Sequence, residues 1–176
     1  MNPHFIFNAM NSIRALIDED PSRAREAVTA LSNILRYSMS SDQHETITLE
    51  RELNIVKDYL ALELIRFEDR LYVQYSIDED TLDHRVPPMM LQTLVENAIK
   101  HGITQLPDGG IIEINSSANS HTLKVEVCNT GELKENENKG IGLKNSTKRL
   151  QNLFGEKAQL LLQSKSPYKV SVSIIY

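Results

Sequence analysis

Apolar residues recur at helical spacing in the first third of the chain. Ile6, Ala9, Met10, Ile13, Leu16 and Ile17 form one stripe over residues 3–18, the spacing a helix buries on one side. Asp18-Glu-Asp-Pro21 breaks it; Pro21 suits the first position of a following helix, with Asp20 as its cap. Ala24, Ala27, Val28, Leu31, Ile34 and Leu35 make the second stripe. Two helices joined so briefly form an antiparallel hairpin. Alone the hairpin buries too little apolar surface, so pairing with a second copy into a four-helix bundle is expected. The polar run Ser38–Glu45 reads as a linker. Thr48 then caps a third helix with Glu50 and Glu52 in its first turn, where the helix dipole favours acids.

The later chain switches to period-2 alternation. Leu71, Val73, Tyr75 and Ile77 alternate with Tyr72, Gln74 and Ser76; Leu123, Val125 and Val127 with Lys124 and Glu126; Val170, Val172, Ile174 and Tyr176 with Ser171, Ser173 and Ile175. Such strands bury one face and leave the other mostly wet. Helices near 49–67, 88–101 and 141–154 must cover the buried face. The expected class is α+β, a two-layer sandwich and not a doubly wound sheet. Residues 1–47 are expected to form the helical hairpin unit and 48–176 the sandwich domain.

One of these helices has two chemically different faces. Leu91, Leu94, Val95, Ala98 and Ile99 make its apolar stripe, while Thr93, Glu96, Asn97, Lys100 and His101 share the opposite side. An amide or carboxylate oxygen suits Mg²⁺, and an ammonium suits the phosphates that Mg²⁺ bridges. A charged outer face closed by Gly102 as a C-terminal cap is the plainer alternative. Gly140-Ile-Gly142-Leu-Lys-Asn145 stands where a polar loop enters a helix, so the backbone there can approach phosphate. The preceding Glu132–Lys139 is almost wholly polar, either an ordinary solvated loop or a lid.

Composition narrows the classes. The net charge is −5, and no dense Lys/Arg run is present, which argues against nucleic acid as a partner. Cys128 is the single cysteine, so neither an internal disulfide nor a cysteine metal cluster can form within the chain. No apolar run approaches the ~20 residues that span a bilayer. His44, His84 and His121 lack metal-ligand spacing and read as surface residues.

Glu96-Asn97-Ala-Ile-Lys-His101 resembles the N-box of the Bergerat ATP-binding fold shared by gyrases, Hsp90-type chaperones, MutL proteins and histidine kinases. Met1-Asn-Pro-His4-Phe-Ile-Phe-Asn8 resembles the phosphoacceptor box of the LytS/YehU-type sensor histidine kinases. Leu31-Ser-Asn-Ile-Leu-Arg-Tyr37 and Tyr59-Leu-Ala-Leu-Glu-Leu-Ile-Arg-Phe67 are similar to that family's next two blocks, in the same order. The resemblance implies a two-layer Bergerat (GHKL) sandwich that binds ATP and Mg²⁺ and a homodimer through the N-terminal helices. It also implies a response regulator, of the LytTR type, as partner. His4 at the extreme start leads to the expectation that the chain is the cytoplasmic end of a longer membrane receptor.

The same resemblance assigns roles. His4 accepts the γ-phosphoryl group; a histidine side chain is largely neutral near pH 7 and a competent nucleophile. Phe5 stands where many other histidine kinases keep an acid, so Glu96 is the candidate general base. Asn8, one turn on, can hold water for dephosphorylating a regulator. Asn97 takes the metal, and Lys100, His101, Gly140, Gly142 and Leu143 the phosphate end, with Gly140–Gly142 similar to the G2 box. Asn129-Thr-Gly131 occupies the G1 box, where relatives carry Asp-x-Gly-x-Gly. Asn129 can still accept from the adenine amino group, without charge, but Leu133 replaces the second glycine, and Ser166-Pro-Tyr168 stands in place of a Gly-Thr pair. Two rivals follow: an ATPase in which Glu96 activates water, and a dimerising nucleotide-binding scaffold that transfers no phosphate.

Overall fold

The computed structural model describes residues 3–40, 44–119, 122–132, 141–155, 158–166 and 169–175. α1 spans Pro3–Glu19 and α2 Pro21–Ser40. The expected cap joins them: Asp20 Oδ1 accepts from the backbone N–H groups of Ser22 and Arg23, each at 3.1 Å. α2 runs through Ser40, into the stretch whose polarity suggests a linker. The α1 stripe needs correction. Phe5, Ala9, Ile13 and Leu16 are buried, whereas Met10 and Ile17 are exposed together with Phe7, and Val28 on α2. Each helix carries two apolar rows, and only the inner one packs inside this chain.

β1 (Ile47–Thr48) pairs with the short β3 (Arg85–Val86). Between them lie α3 (Leu49–Phe67) and β2 (Leu71–Ile77). Thr48 caps α3 as expected, its hydroxyl accepting from the Arg51 N–H. α1 and α2 both pack on α3, and the apolar core runs without a break from Phe5 to Leu160.

The helix expected over 88–101 is α4 (Met90–Asn97) followed by a π turn over Ala98–Gly102 and a 3₁₀ turn over Ile103–Gln105. Its apolar row is buried as expected: Leu91, Leu94, Val95, Ala98 and Ile99. Gly102 is not a left-handed cap, since its φ is −97°. It is needed for close approach instead, because a Cβ there would lie 2.1 Å from Asn129 Nδ2 and 3.0 Å from the Thr130 carbonyl oxygen.

β4 (Gly110–Ala118), β5 (Leu123–Thr130), α5 (Ile141–Phe154), β6 (Gln159–Ser166) and β7 (Lys169–Ile175) complete the fold. The five-stranded sheet has the order β2-β4-β5-β7-β6. β2 and β4 are parallel and the other pairs antiparallel. α3, α4 and α5 lie side by side on it, touching β2, β5 and β6 respectively, which gives the two-layer α+β sandwich. Alternation holds less well than expected. The edge strand β2 fully buries only Leu71. The central strand β5 buries Glu126 and Cys128 as well as Val125 and Val127.

Candidate active site

α4 begins on a carboxylate from another helix. Glu52 has no exposed surface. Its Oε1 accepts from the Met89 N–H at 2.6 Å and its Oε2 from the Leu91 N–H at 2.9 Å. These are the partnerless donors of a helix start, and an acid there also meets the favourable end of the dipole. The Tyr37 hydroxyl, from the last turn of α2, donates to the same carboxylate. Burial pushes the Glu52 carboxyl above its usual range, against the hydrogen bonds that pull it down. Burial and the adjacent Glu52 push the Tyr37 hydroxyl up. Glu52 is therefore not the solvent-facing first-turn acid its position suggests. It fixes where α4 starts, and with it the phase of the polar face.

That face opens on a cavity of about 740 Å³. Thr93, Glu96, Asn97, Lys100 and His101 line it from α4 and the π turn, and Gly142 and Leu143 from the start of α5. His4 and Phe5 line it from α1. Seven candidate residues separated by up to 139 positions thus share one space: His4, Glu96, Asn97, Lys100, His101, Gly142 and Leu143. The π turn carries Lys100 and His101; such turns are frequent at functional sites because they re-aim side chains.

Gln92 Nε2 donates to Glu96 Oε1 at 2.8 Å and holds that carboxylate in place. His4 Nδ1 lies 3.1 Å from Asn8 Nδ2, one turn on. An amide in this position selects the imidazole tautomer, and its two ends select opposite ones.

Asn129 and Gly131 do not line this cavity. Asn129 is buried, donates through Nδ2 to the Thr130 carbonyl oxygen at 2.9 Å, and packs over Gly102; Gly131 packs against Gly102 as well. Gly140, Leu133, Pro167, Tyr168 and the lid stretch 133–139 lie outside the described residues, as does His121.

The α3 wall adds a set that the apolar pattern alone hides. Tyr59, Glu63 and Arg66 follow at i, i+4 and i+7 and line the cavity. The Tyr59 ring stacks on Phe5 at 4.5 Å, and its hydroxyl donates to Glu63 Oε1 at 3.2 Å. Arg66 Nη1 donates to Glu63 Oε2 at 3.1 Å. Burial pushes the Glu63 carboxyl up, opposed by Arg66 and reinforced by Glu96. Burial, Glu63 and Glu96 together push the Tyr59 hydroxyl well up. A signal was available in the sequence: three polar groups at helical spacing beside the apolar row of α3.

Among the described residues no group of three His, Cys, Asp or Glu side chains could hold a metal ion. The Asn97 amide together with nearby cations fits a Mg²⁺ that arrives on phosphate, because Mg²⁺ is commonly held by one or two protein oxygens plus substrate phosphates. No helix among the described residues is long and apolar enough to cross a membrane.

Comparison with known proteins agrees with this arrangement. The family model described as Histidine kinase matches residues 1–71. The sensor histidine kinase YpdA of Escherichia coli is 38% identical over 89% of this chain and 29% of its own length. The sensor protein LytS of Staphylococcus epidermidis is 35% identical over 100% of this chain and 32% of its own. The chain thus spans about a third of the length of these curated relatives. In fold it is similar to the histidine kinase domain of the blue-light activated histidine kinase of Erythrobacter litoralis. That match has a TM-score of 0.55 at 19% identity, over 92% of this chain and 83% of that one. With the histidine kinase match over residues 1–71, relatives of 35–38% identity along most or all of the chain and a two-layer sandwich of the GHKL type, the chain is similar to the LytS-type sensor histidine kinases.

Proposed function

We propose that this chain is the acceptor and ATP-binding part of a sensor histidine kinase, and that it phosphorylates its own His4 from ATP. One observation carries the proposal: His4 and the N-box side chains line a single cavity within one chain. Residues 1–47 act as the acceptor and dimerisation unit and 48–176 as the ATP-binding unit. Asn97 holds Mg²⁺, which neutralises charge on the β- and γ-phosphates. Lys100, His101 and the backbone around Gly140, Gly142 and Leu143 bind phosphate. Asn129 and Gly131, which lie behind Gly102 and off this cavity, serve the base end, with Asn129 reading adenine.

A ring nitrogen of His4 bonds to the γ-phosphorus as the bond from that phosphorus to the β–γ bridging oxygen breaks, and ADP leaves with that electron pair. Glu96, whose carboxylate accepts from Gln92, takes the ring proton. Asn8 sets the tautomer of His4 and later orients water for dephosphorylation. The phosphoryl group then passes to an aspartate of a response regulator of the LytTR type. The exposed row Phe7, Met10 and Ile17 on α1, with Val28 on α2, supports pairing with a second copy of the hairpin. In the full-length protein this part faces the cytoplasm beneath a membrane-borne sensor.

Incubation with γ-labelled ATP tests the reading. The expected product is acid-labile, base-stable phosphate that disappears in His4→Gln. Phosphate released to solvent with no labelled histidine would favour the ATPase, and tight ATP binding with neither product would favour the scaffold.

A further inference from the structure

We infer that Arg66 is the phosphoryl-binding cation on the acceptor side of the cavity, the group that meets the γ-phosphoryl as it leaves ATP for His4. The inference rests on the kinase reading above. α3 packs against both α1, which carries His4, and α4, which carries the N-box. Tyr59, Glu63 and Arg66 share one face of α3 along the cavity wall, and the Tyr59 ring stacks on the neighbour of His4.

The charges on this wall explain why a cation is needed. Glu63 is only 2% exposed and lines the cavity with Glu96. Without Arg66 the α3 wall would present a carboxylate to an incoming phosphoryl group and repel it. Lys100 and His101 line the same cavity from the N-box wall, whereas Arg66 stands on the α3 wall beside Glu63.

Arg66 is also held as a transition-state donor should be. Glu63 takes one of its N–H groups, and its guanidinium lies over the Phe67 ring at 4.6 Å from the centroid. A guanidinium has five donors in a rigid fork. Those not used on Glu63 make no other hydrogen bond among the described residues. Mere neutralisation of Glu63 would need one donor and no place on the cavity wall. In the transfer, Arg66 donates to the non-bridging oxygens of the moving phosphoryl group, where charge is spread in a loose transition state. It forms no covalent bond and moves no proton.

The test uses the full chain and Mg·ATP, comparing wild type with Arg66→Ala, Arg66→Gln and Arg66→Lys. Initial rates of His4 labelling are read at saturating ATP, nucleotide affinity by calorimetry, and folding by thermal melting. Loss of Arg66 should slow labelling roughly 10²–10³-fold, with ATP affinity changed by less than about threefold, which sets the transition-state role apart from ground-state binding. Arg66→Lys should recover only part of the rate. Added guanidinium ion, below denaturing concentration, should speed Arg66→Ala and leave wild type unchanged. A purely structural role predicts no such rescue. Labelling of Arg66→Ala within threefold of wild type overturns the inference, and so does a folded, slow Arg66→Ala that guanidinium does not speed. If Arg66→Ala melts below the assay temperature, Arg66→Gln is read in its place, with partial rate recovery in Arg66→Lys as the deciding result. Wild type that fails to label His4 defeats the kinase reading and this inference together. Wild type that labels while the variants match it defeats this inference alone.

Discussion

Glu52 and Glu63 are the same residue type on the same helix, both buried, and they do opposite work. Glu52 is closed in by the backbone of α4 and the Tyr37 hydroxyl, and makes no ion pair among the described residues. Its charge is met by N–H dipoles fixed by the fold, and it sets where a helix begins. Glu63 is met by a cation and a phenol at the edge of a cavity that His4 also lines. A buried acid bonded to backbone is architecture; a buried acid bonded to an arginine on a cavity wall holds a reagent in place. Burial alone does not distinguish them, but their partners do.

The largest effect should come from removing the architectural acid. Glu52→Ala leaves the Leu91 N–H and the Tyr37 hydroxyl hydrogen without their acceptor and leaves the Met89 N–H only the Tyr37 oxygen. Each buried group left unsatisfied costs about 1–3 kcal/mol. Thermal melting should fall by many degrees and protease sensitivity should rise. A melting curve like that of wild type would mean that α4 does not depend on this cap.

Asn97→Ala probes the other side of the contrast. Asn97 stands off the buried row of α4, so the melting curve should hold while Mg²⁺-dependent ATP affinity drops at least tenfold, roughly 1.4 kcal/mol or more. Calorimetry giving unchanged affinity in a folded variant would remove Asn97 from the metal and the cavity from the nucleotide.

The smallest effect is a slope with pH. Burial lifts the Glu52 carboxyl, so the folded chain still holds its proton at a pH where the unfolded chain has released it. Stability from this group therefore falls as pH rises from the ordinary carboxylate value, about 4.3, through the higher folded value. The melting temperature of wild type minus that of Glu52→Gln should be most positive at the acid end of the folded range and shrink upward. A difference that is flat or grows with pH would show that the carboxyl is not lifted.

What could be read from the sequence was what depends on near neighbours. The α4 row from Leu91 to Ile99, the Asp20 and Thr48 caps and the polar face from Thr93 to His101 are all set within a few turns. Features that depend on distant partners were hidden. β4 places Ile111 beside Ile112 and buries Ser116, which it can do only because Thr81 bonds that hydroxyl at 2.6 Å. β6 shows an unbroken Leu160–Leu162 run in place of alternation. The sequence placed Glu52 in the first turn of α3 but not in the core, because its partners come from α2 and from the start of α4. The π turn leaves no mark on the apolar row, since Ala98 and Ile99 remain buried, yet it sets where Lys100 and His101 emerge. Of the candidate site, the α4 and His4 residues were legible because their chemistry is unusual for a solvated face. Arg66 and Glu63 share a helical spacing with Tyr59 that the sequence shows, but acids and arginines are common on helices and only the cavity gives that spacing meaning.

The central claim is that His4 and a nucleotide on Asn97 occupy one cavity. The most direct measurement replaces Mg²⁺ by paramagnetic Mn²⁺ with a non-hydrolysable ATP analogue and follows the histidine ring signals by NMR. His84 serves as the distant reference, because its carbonyl oxygen accepts from Leu49 at the start of α3, away from Arg66 near the other end. The account predicts that the signals of His4 and His101 broaden together while that of His84 stays sharp. A His101 signal that broadens beside a His4 signal as sharp as that of His84 would contradict it.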